Sequence, residues 1–370
     1  MRVQPGRFIL MGLLLGVGAV LLSFLGNPAN TGICVSCFLQ NVAGALGLHD
    51  NIRMQYLRPE ILGFVLGAFA VAVARREFRP QGGSSPLVRF LVGILLVIGC
   101  QVFIGCPIKL FLKLAAGDLG AFIGLLGLVV GVYIGLAFVE NGFRLGSPGP
   151  TSSTNSLMVP LFMAFLLVLA VAKPAFLAAS DKGGAAQHAP WLVSLGVGLA
   201  IGGLAQYTQF CVTGGIARLF LWGPREIMSC PRSTGLVIAI AAFLVSALAA
   251  NLVTGQFRLG LAGQPSSNAD HGWAFLGMVL VGFGSILIRG CPFRQLVAAG
   301  QGDSDAGATV MGMLVGAALV ENWDLGAGVA GTPVNAQVAV LLGLAVLATI
   351  GLVNRKRGYG IAPEYQTGLD

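Results

Sequence analysis

Charge is what this chain has least of. Only 10% of its residues are charged, 56% are hydrophobic, and the mean hydropathy is +0.85. A soluble globular domain carries about 25% charged residues, so that class is excluded. Histidine is nearly absent, at 3 in 370 residues. His49, His188 and His271 fall in predicted loops without a catalytic partner. No His cluster or second cysteine pair is at hand to complete a structural metal site. A phosphate-binding P-loop is also missing, which excludes ATP hydrolysis by that route. With no cofactor motif in its place, the chain is not expected to be an enzyme. The net charge of +8 comes from basic residues clustered between apolar runs. That is a pattern of membrane topology, and no nucleic-acid partner is expected.

Glycine, by contrast, is abundant, with 55 residues. Small residues let membrane helices approach closely where lipid supplies no hydrophobic drive between them. The chain therefore reads as a polytopic integral membrane protein. No cleavable signal peptide is evident, and Phe8 to Gly26 is long enough to remain as a first span.

Two halves of the sequence match. Gly105-Cys106-Pro107 reappears as Gly290-Cys291-Pro292, and Lys109, Gly117 and Asp118 fall at the same offset on Arg294, Gly302 and Asp303. Upstream, Cys34-Val35-Ser36 falls on Cys211-Val212-Thr213; downstream, Glu140-Asn141 falls on Glu321-Asn322. Three matches in one order indicate a duplicated unit, here divided as 1–180 and 181–370.

Apolar runs long enough to span are expected at 8–26, 59–74, 87–104, 119–139 and 157–178, then at 191–206, 234–254, 272–288, 306–320 and 335–353. Four shorter runs remain, at 34–48, 106–116, 211–222 and 291–300. At about 1.5 Å per residue these reach roughly 15 to 22 Å, short of a hydrocarbon core of about 30 Å. They read as re-entrant half-helices. The expected fold is thus all-α, with about ten transmembrane helices, four half-helices and two repeats. Five spans per unit is an odd number, so the second repeat is inverted; if 306–320 were not a span, the repeat would be parallel. With both termini cytoplasmic, most of the 22 basic residues face the cytoplasm, among them Arg2, Arg75, Arg76, Arg79, Arg144, Arg225, Arg232, Arg355, Lys356 and Arg357.

Each half-helix begins at a cysteine: Cys34, Cys106, Cys211 or Cys291. A helix N-terminus presents unpaired N–H groups and the positive end of the helix dipole, which favours anions. Proline after Cys106 and Cys291 suits the first helical position. A lone buried cysteine usually packs as a small apolar residue, and Cys100 and Cys230 are read that way. Four at equivalent helix starts are a different matter. Cys34-Val-Ser-Cys37 has the spacing of a redox or metal pair and leaves a disulfide open, but the second unit carries Gly214 where the first has Cys37. Lys109, Lys113, Arg289 and Arg294 lie near the Gly-Cys-Pro motifs, where attraction of an anion and snorkelling to the interface are both available. Asp118 and Asp303 read as caps of the following helix, and Glu140 and Glu321 as structural residues at span ends, with coupling-ion binding as the lesser alternative.

Gly32-Ile33-Cys34 and the two Gly-Cys-Pro triplets on a duplicated membrane scaffold resemble the YeeE/YedE family of sulfur-compound transporters. The run from Gly26 to His49, with Arg58-Pro-Glu-Ile-Leu-Gly63 and Gly82-Gly-Ser-Ser-Pro86, is similar to its YedE branch, associated with selenium metabolism. The resemblance implies uptake of a small selenium- or sulfur-containing anion, thiosulfate-like or a selenium compound, through the bacterial cytoplasmic (inner) membrane. It places Cys34, Cys106 and Cys291 on a cysteine-lined path; Cys211 joins by internal symmetry, and Cys37, Lys109 and Arg294 are candidate lining residues. It leaves room for a cytoplasmic sulfur- or selenium-carrier protein as a partner beside the lipid bilayer. Two alternatives stay open: a thiol-disulfide oxidoreductase using Cys34 and Cys37, and an anion channel with structural cysteines.

Overall fold

A computed structural model describes residues 5–221, 231–328 and 330–355. Arg2, Arg225, Cys230, Lys356 and Arg357 lie outside them, as does the side chain of Arg232. The chain is mostly helical. Ten long helices are described: α1 (Pro5–Phe24), α3 (Pro59–Ala74), α4 (Pro86–Phe103), α6 (Gly120–Glu140), α7 (Ser153–Ala172), α8 (Trp191–Thr208), α10 (Pro231–Val253), α11 (His271–Leu287), α13 (Ser304–Asn322) and α14 (Val334–Val353). Four short ones fall between them: α2 (Val35–Ala45), α5 (Pro107–Ala115), α9 (Val212–Leu221) and α12 (Pro292–Gly300). Strands β1 (Gln81–Gly82) and β2 (Gly149–Pro150) form one small antiparallel pair.

Local chemistry sets the helix ends. Pro59, Pro86, Pro107 and Pro292 stand in the first turn, where a missing N–H has no cost. Ser152 accepts from the Asn155 N–H at the start of α7, and Asp303 accepts from Asp305 and Ala306 at the start of α13. Asp118 accepts from Gly120 and Ala121 in the same manner, so both aspartates act as the caps expected of them. α7 ends earlier than the run 157–178 suggests, because Lys173 turns into the left-handed region and Pro174 follows.

Among the described residues, 8 helical stretches are long and apolar enough to cross a membrane. Three of them, Pro86–Ala115, Trp191–Leu221 and His271–Gly300, join a long helix to the short one after it. Two of the ten expected spans are not among the eight. α3, at 16 residues, is a shorter apolar helix, and α13 carries Asp305 and Glu321 within its 19 residues. This is a multi-pass membrane protein.

The two halves interdigitate. α1 packs along α10, α3 along α8, α4 along α13, and α6 along α11, each pair taking one helix from each half. Glycine makes every one of these contacts close. A Cβ on Gly12 would meet the Ala239 carbonyl, one on Gly202 the Phe64 carbonyl, one on Gly312 the Phe90 carbonyl, and one on Gly131 the Val279 carbonyl. In each pair the helices run parallel, because the contacts rise together along both: Gly63 meets Gly198 and Val71 meets Gly203. With no hydrophobic drive between helices in lipid, this backbone-to-backbone packing carries the association.

Leucine at Gly312 is accordingly expected to lower stability by about 2 kcal/mol or more, because rigid backbone must move to admit it. Leucine at Gly196, where an added Cβ meets nothing within 4 Å, leaves the melting temperature unchanged. Thermal unfolding of the detergent-purified variants measures both.

Candidate functional site

All four short helices start at a buried cysteine. Cys106 and Cys291 are the N-caps of α5 and α12, Cys34 is the N-cap of α2, and Cys211 directly precedes α9. The approach to each is sharply bent. Ile104, Gln209 and Arg289 take φ of 59°, 54° and 66° just before Cys106, Cys211 and Cys291, and Asn30 takes 56° ahead of Cys34. Positive φ is unfavourable for any side chain and most so for β-branched isoleucine. These bends separate each short helix from the long helix before it.

The bends bring the thiols together in pairs. Cys211 Sγ lies 3.8 Å from Cys291 Sγ. Cys34 and Cys106 are near enough to influence one another, and Cys106 lies within electrostatic range of Cys291. The pairs are dressed alike: Ser36 Oγ lies 3.6 Å from Cys34 Sγ, and Thr213 Oγ1 lies 3.4 Å from Cys211 Sγ. Helix-start amides also face the sulfurs, with the Gly214 N–H donating to Cys211 at 3.3 Å.

The first pair has additions that the second lacks. Cys37 Sγ is 2.9 Å from Cys34 Sγ, and Lys109 Nζ is 3.8 Å from Cys37. All six described cysteines are free thiols. Cys100, expected to serve packing, is buried on α4. Of the expected lining residues the structure thus gathers Cys34, Cys37, Cys106 and Lys109 around one point and Cys211 with Cys291 around a second. Arg294, at the start of α12, donates to Gln209 Oε1 at the end of α8.

Neither lysine snorkels. Lys109 is 1% and Lys113 0% exposed, because the nine-residue α5 is enclosed by protein on all sides. Lys113 donates to the Phe103 carbonyl at 3.2 Å and stands 4.3 Å above the Phe103 ring. Glu321 accepts from Gln40 at 2.8 Å and from Asn51 at 2.6 Å, a structural tie between α13 and the loop after α2. Glu140 is exposed.

Above the first cluster is a cavity of about 290 Å³. Cys37, Gln101, Ile104 and Lys109 line it together with Arg58 and Glu321. Arg58, not counted above among the site residues, is a wall and not a free cation. It donates to Asn41 at 2.7 Å, to Asn27 at 3.3 Å, and to the Gly184 and Gln187 carbonyls at 2.9 and 3.1 Å. Phe38 and Tyr56 lie against its guanidinium. The signal for it was present in the sequence: an arginine before proline and glutamate, among Asn27 and Asn41. Gln101 carried no such signal.

Chemically, the arrangement offers weak thiol donors and a buried ammonium around an opening large enough for a small ion. Thiols hydrogen-bond an anion weakly, so it can be held and released. Because Cys37 is 9% exposed at the cavity while Cys34 and Cys291 are at 0%, iodoacetamide is expected to alkylate Cys37 first among the six described cysteines. Mass mapping of the labelled chain over time would show the order, and Cys37→Ser should slow the first modification severalfold.

Neither the protein-family models nor the curated proteins include a match to this chain.

Proposed function

We propose that this protein is a transporter that takes up a small selenium- or sulfur-containing anion through a cysteine-lined path. The observation that carries the reading is the burial of four helix-start cysteines, with the Cys211 and Cys291 thiols 3.8 Å apart and Cys34 beside Cys37 next to a cavity lined by Cys37 and Lys109. The resemblance of its cysteine motifs to the YeeE/YedE family points the same way, and its longer runs point to the selenium-associated branch. A cytoplasmic sulfur or selenium carrier would receive the anion.

An inverted pair of repeats, each of five spans and two half-helices, is part of this reading. Asn27 of the loop after α1 donates to Glu60 at the start of α3 at 2.9 Å, so α1 and α3 run in opposite directions. α8 lies parallel to α3, which sets it antiparallel to α1, its partner in the repeat. Loop contacts repeat too: Arg79 N–H donates to Gln301 O and Gln81 N–H to Gly302 O, while Arg258 N–H donates to Ala116 O and Gly260 N–H to Gly117 O. Each pair exchanges with the other under the offset of the repeat.

The face bearing the start of α1, the loop 75–85 and the end of α14 is assigned to the cytoplasm of a bacterial inner membrane. It carries Arg75, Arg76, Arg79, Arg144 and Arg355, consistent with the positive-inside rule. The cavity then opens outward, and an anion would move from Cys37 and Cys34 to Cys106, then to Cys291 and Cys211, leaving beside Arg294. Short-lived binding at several weak donors suits handover between sites. A reporter cysteine in loop 173–190 should react with membrane-impermeant maleimide in intact cells, and one in loop 141–152 only after lysis; the opposite pattern reverses the assigned orientation.

The 2.9 Å approach of Cys34 to Cys37 favours one rival, a thiol-disulfide oxidoreductase. The two readings order the variants differently. For a transporter, uptake of labelled thiosulfate or selenite into proteoliposomes should fall at least tenfold in Cys106→Ala and Cys291→Ala. An oxidoreductase would lose activity in Cys37→Ser and tolerate Cys291→Ala. Uptake no faster than in empty vesicles, or undiminished in both alanine variants, removes the proposed path; flux intact after Cys106→Ser indicates a channel with structural cysteines.

A further inference from the structure

We infer that Gln101, Lys109 and Cys37 form a one-sided capture site for a small oxyanion at the cavity floor, with the Gln101 side-chain amide as a specificity-determining donor. The inference rests on the transport reading above and adds to it a residue and an asymmetry that the repeated cysteines do not contain.

Three observations converge on it. Gln101 is 4% exposed and lines the cavity, yet its Nε2 has no hydrogen-bond partner. A buried amide donor left open is costly, and native structures rarely keep one without a ligand or water to receive it. Lys109 is equally buried, and its hydrogen bond is to the Cys37 thiol at 3.8 Å. It is absent from the close ion pairs of the described residues, Arg75–Glu77 and Arg89–Asp305. A buried ammonium held by a thiol alone lacks the opposite charge that burial ordinarily demands. The three groups lie on α2 and on either side of the bend at Ile104, so they face one space.

The other charges around the cavity do not fill that role. Arg58 is bonded to asparagine and carbonyl oxygens, as described. Glu321 takes donors from Gln40 and Asn51, and Asp324 is exposed. The carboxylates thus stand toward the rim and the free donors at the floor. The requirement is for a compact acceptor of negative charge with several oxygens, which a small oxyanion meets and a halide meets poorly.

The second half cannot build the same site. At the offset that carries Cys106 onto Cys291, Gln101 falls on Ile286, and Cys37 is matched by Gly214. Lys109 is matched by Arg294, which donates to Gln209. Capture therefore belongs to the face on which the cavity opens, and the thiol pairs common to both halves conduct in either direction.

Isothermal titration of the full chain in detergent with sodium thiosulfate and sodium selenite, and with sodium chloride for comparison, tests this without requiring transport. The wild type should bind at least one oxyanion at a single site and chloride at least tenfold more weakly. Gln101→Leu should weaken oxyanion binding about tenfold or more, and Gln101→Glu should abolish it by placing a like charge beside the anion. Gln101→Asn, which withdraws the amide by one methylene, gives the same loss if the leucine variant fails to fold, with retained thermal unfolding as the check. Unchanged affinity in the folded Gln101 variants, or no oxyanion binding by the wild type, overturns the proposal. Binding that depends on Gln101 in a chain whose Cys106 and Cys291 variants transport normally would keep the capture site and remove the cysteine path. Cysteine-dependent uptake with affinity indifferent to Gln101 would do the reverse.

Discussion

A helix that begins inside a membrane protein leaves backbone N–H groups where lipid offers them nothing. This chain makes four such starts, and the rest of the fold depends on keeping each one enclosed. α2 has every one of its 11 residues buried, and α5 and α12 are nearly as deep. That enclosure requires long helices to close around the short ones from both halves of the sequence. Glycine-mediated pairing of α1 with α10, α3 with α8, α4 with α13 and α6 with α11 achieves it, since every pair crosses from one half to the other. Neither half could bury its own short helices alone.

Cysteine fits the same constraint. At a helix start within protein, a serine or aspartate would cap well but would bring a stronger polar group or a charge into a dry site. A thiol is a small, largely apolar group that still offers a weak donor and a polarisable acceptor. Four thiols at four helix starts are therefore polar enough to donate weakly and apolar enough to be buried. The strained residues ahead of them, Ile104 above all, belong to the same arrangement, because only three residues separate the end of α4 from the start of α5 and the change of direction must be made at once.

Much of this could be read from the sequence, for physical reasons that are local. The lengths of the apolar runs and the prolines after Cys106 and Cys291 placed the short helices to within a few residues, and Asp118 and Asp303 declared themselves as caps. What could not be read depends on distant partners. The fate of Lys109 and Lys113 was open between the interface and the interior until α5 was seen to be enclosed. Arg58 is a wall because four oxygen atoms from three separate loops and helices surround it. The matching backbone bonds of Arg79 and Arg258 lie outside the motifs that the two halves of the sequence share, since a bond made by the main chain leaves little trace in the side chains around it.

The two halves of the sequence are not equivalent around the cavity. Under the transport proposal, identical halves would place the same site at both faces, and nothing in the fold would favour one direction. Cys37 and Gln101 break that equivalence at positions where the second half has glycine and isoleucine. Both changes remove a donor from the second half without disturbing the helix starts, so the shared thiol pairs and the packing that encloses them survive. Under the transport proposal, one half would keep the common path while the other acquires recognition. The buried ammonium of Lys109 ties the two roles together, because it touches the thiol that is unique to the first half and stands next to the helix start that both halves share.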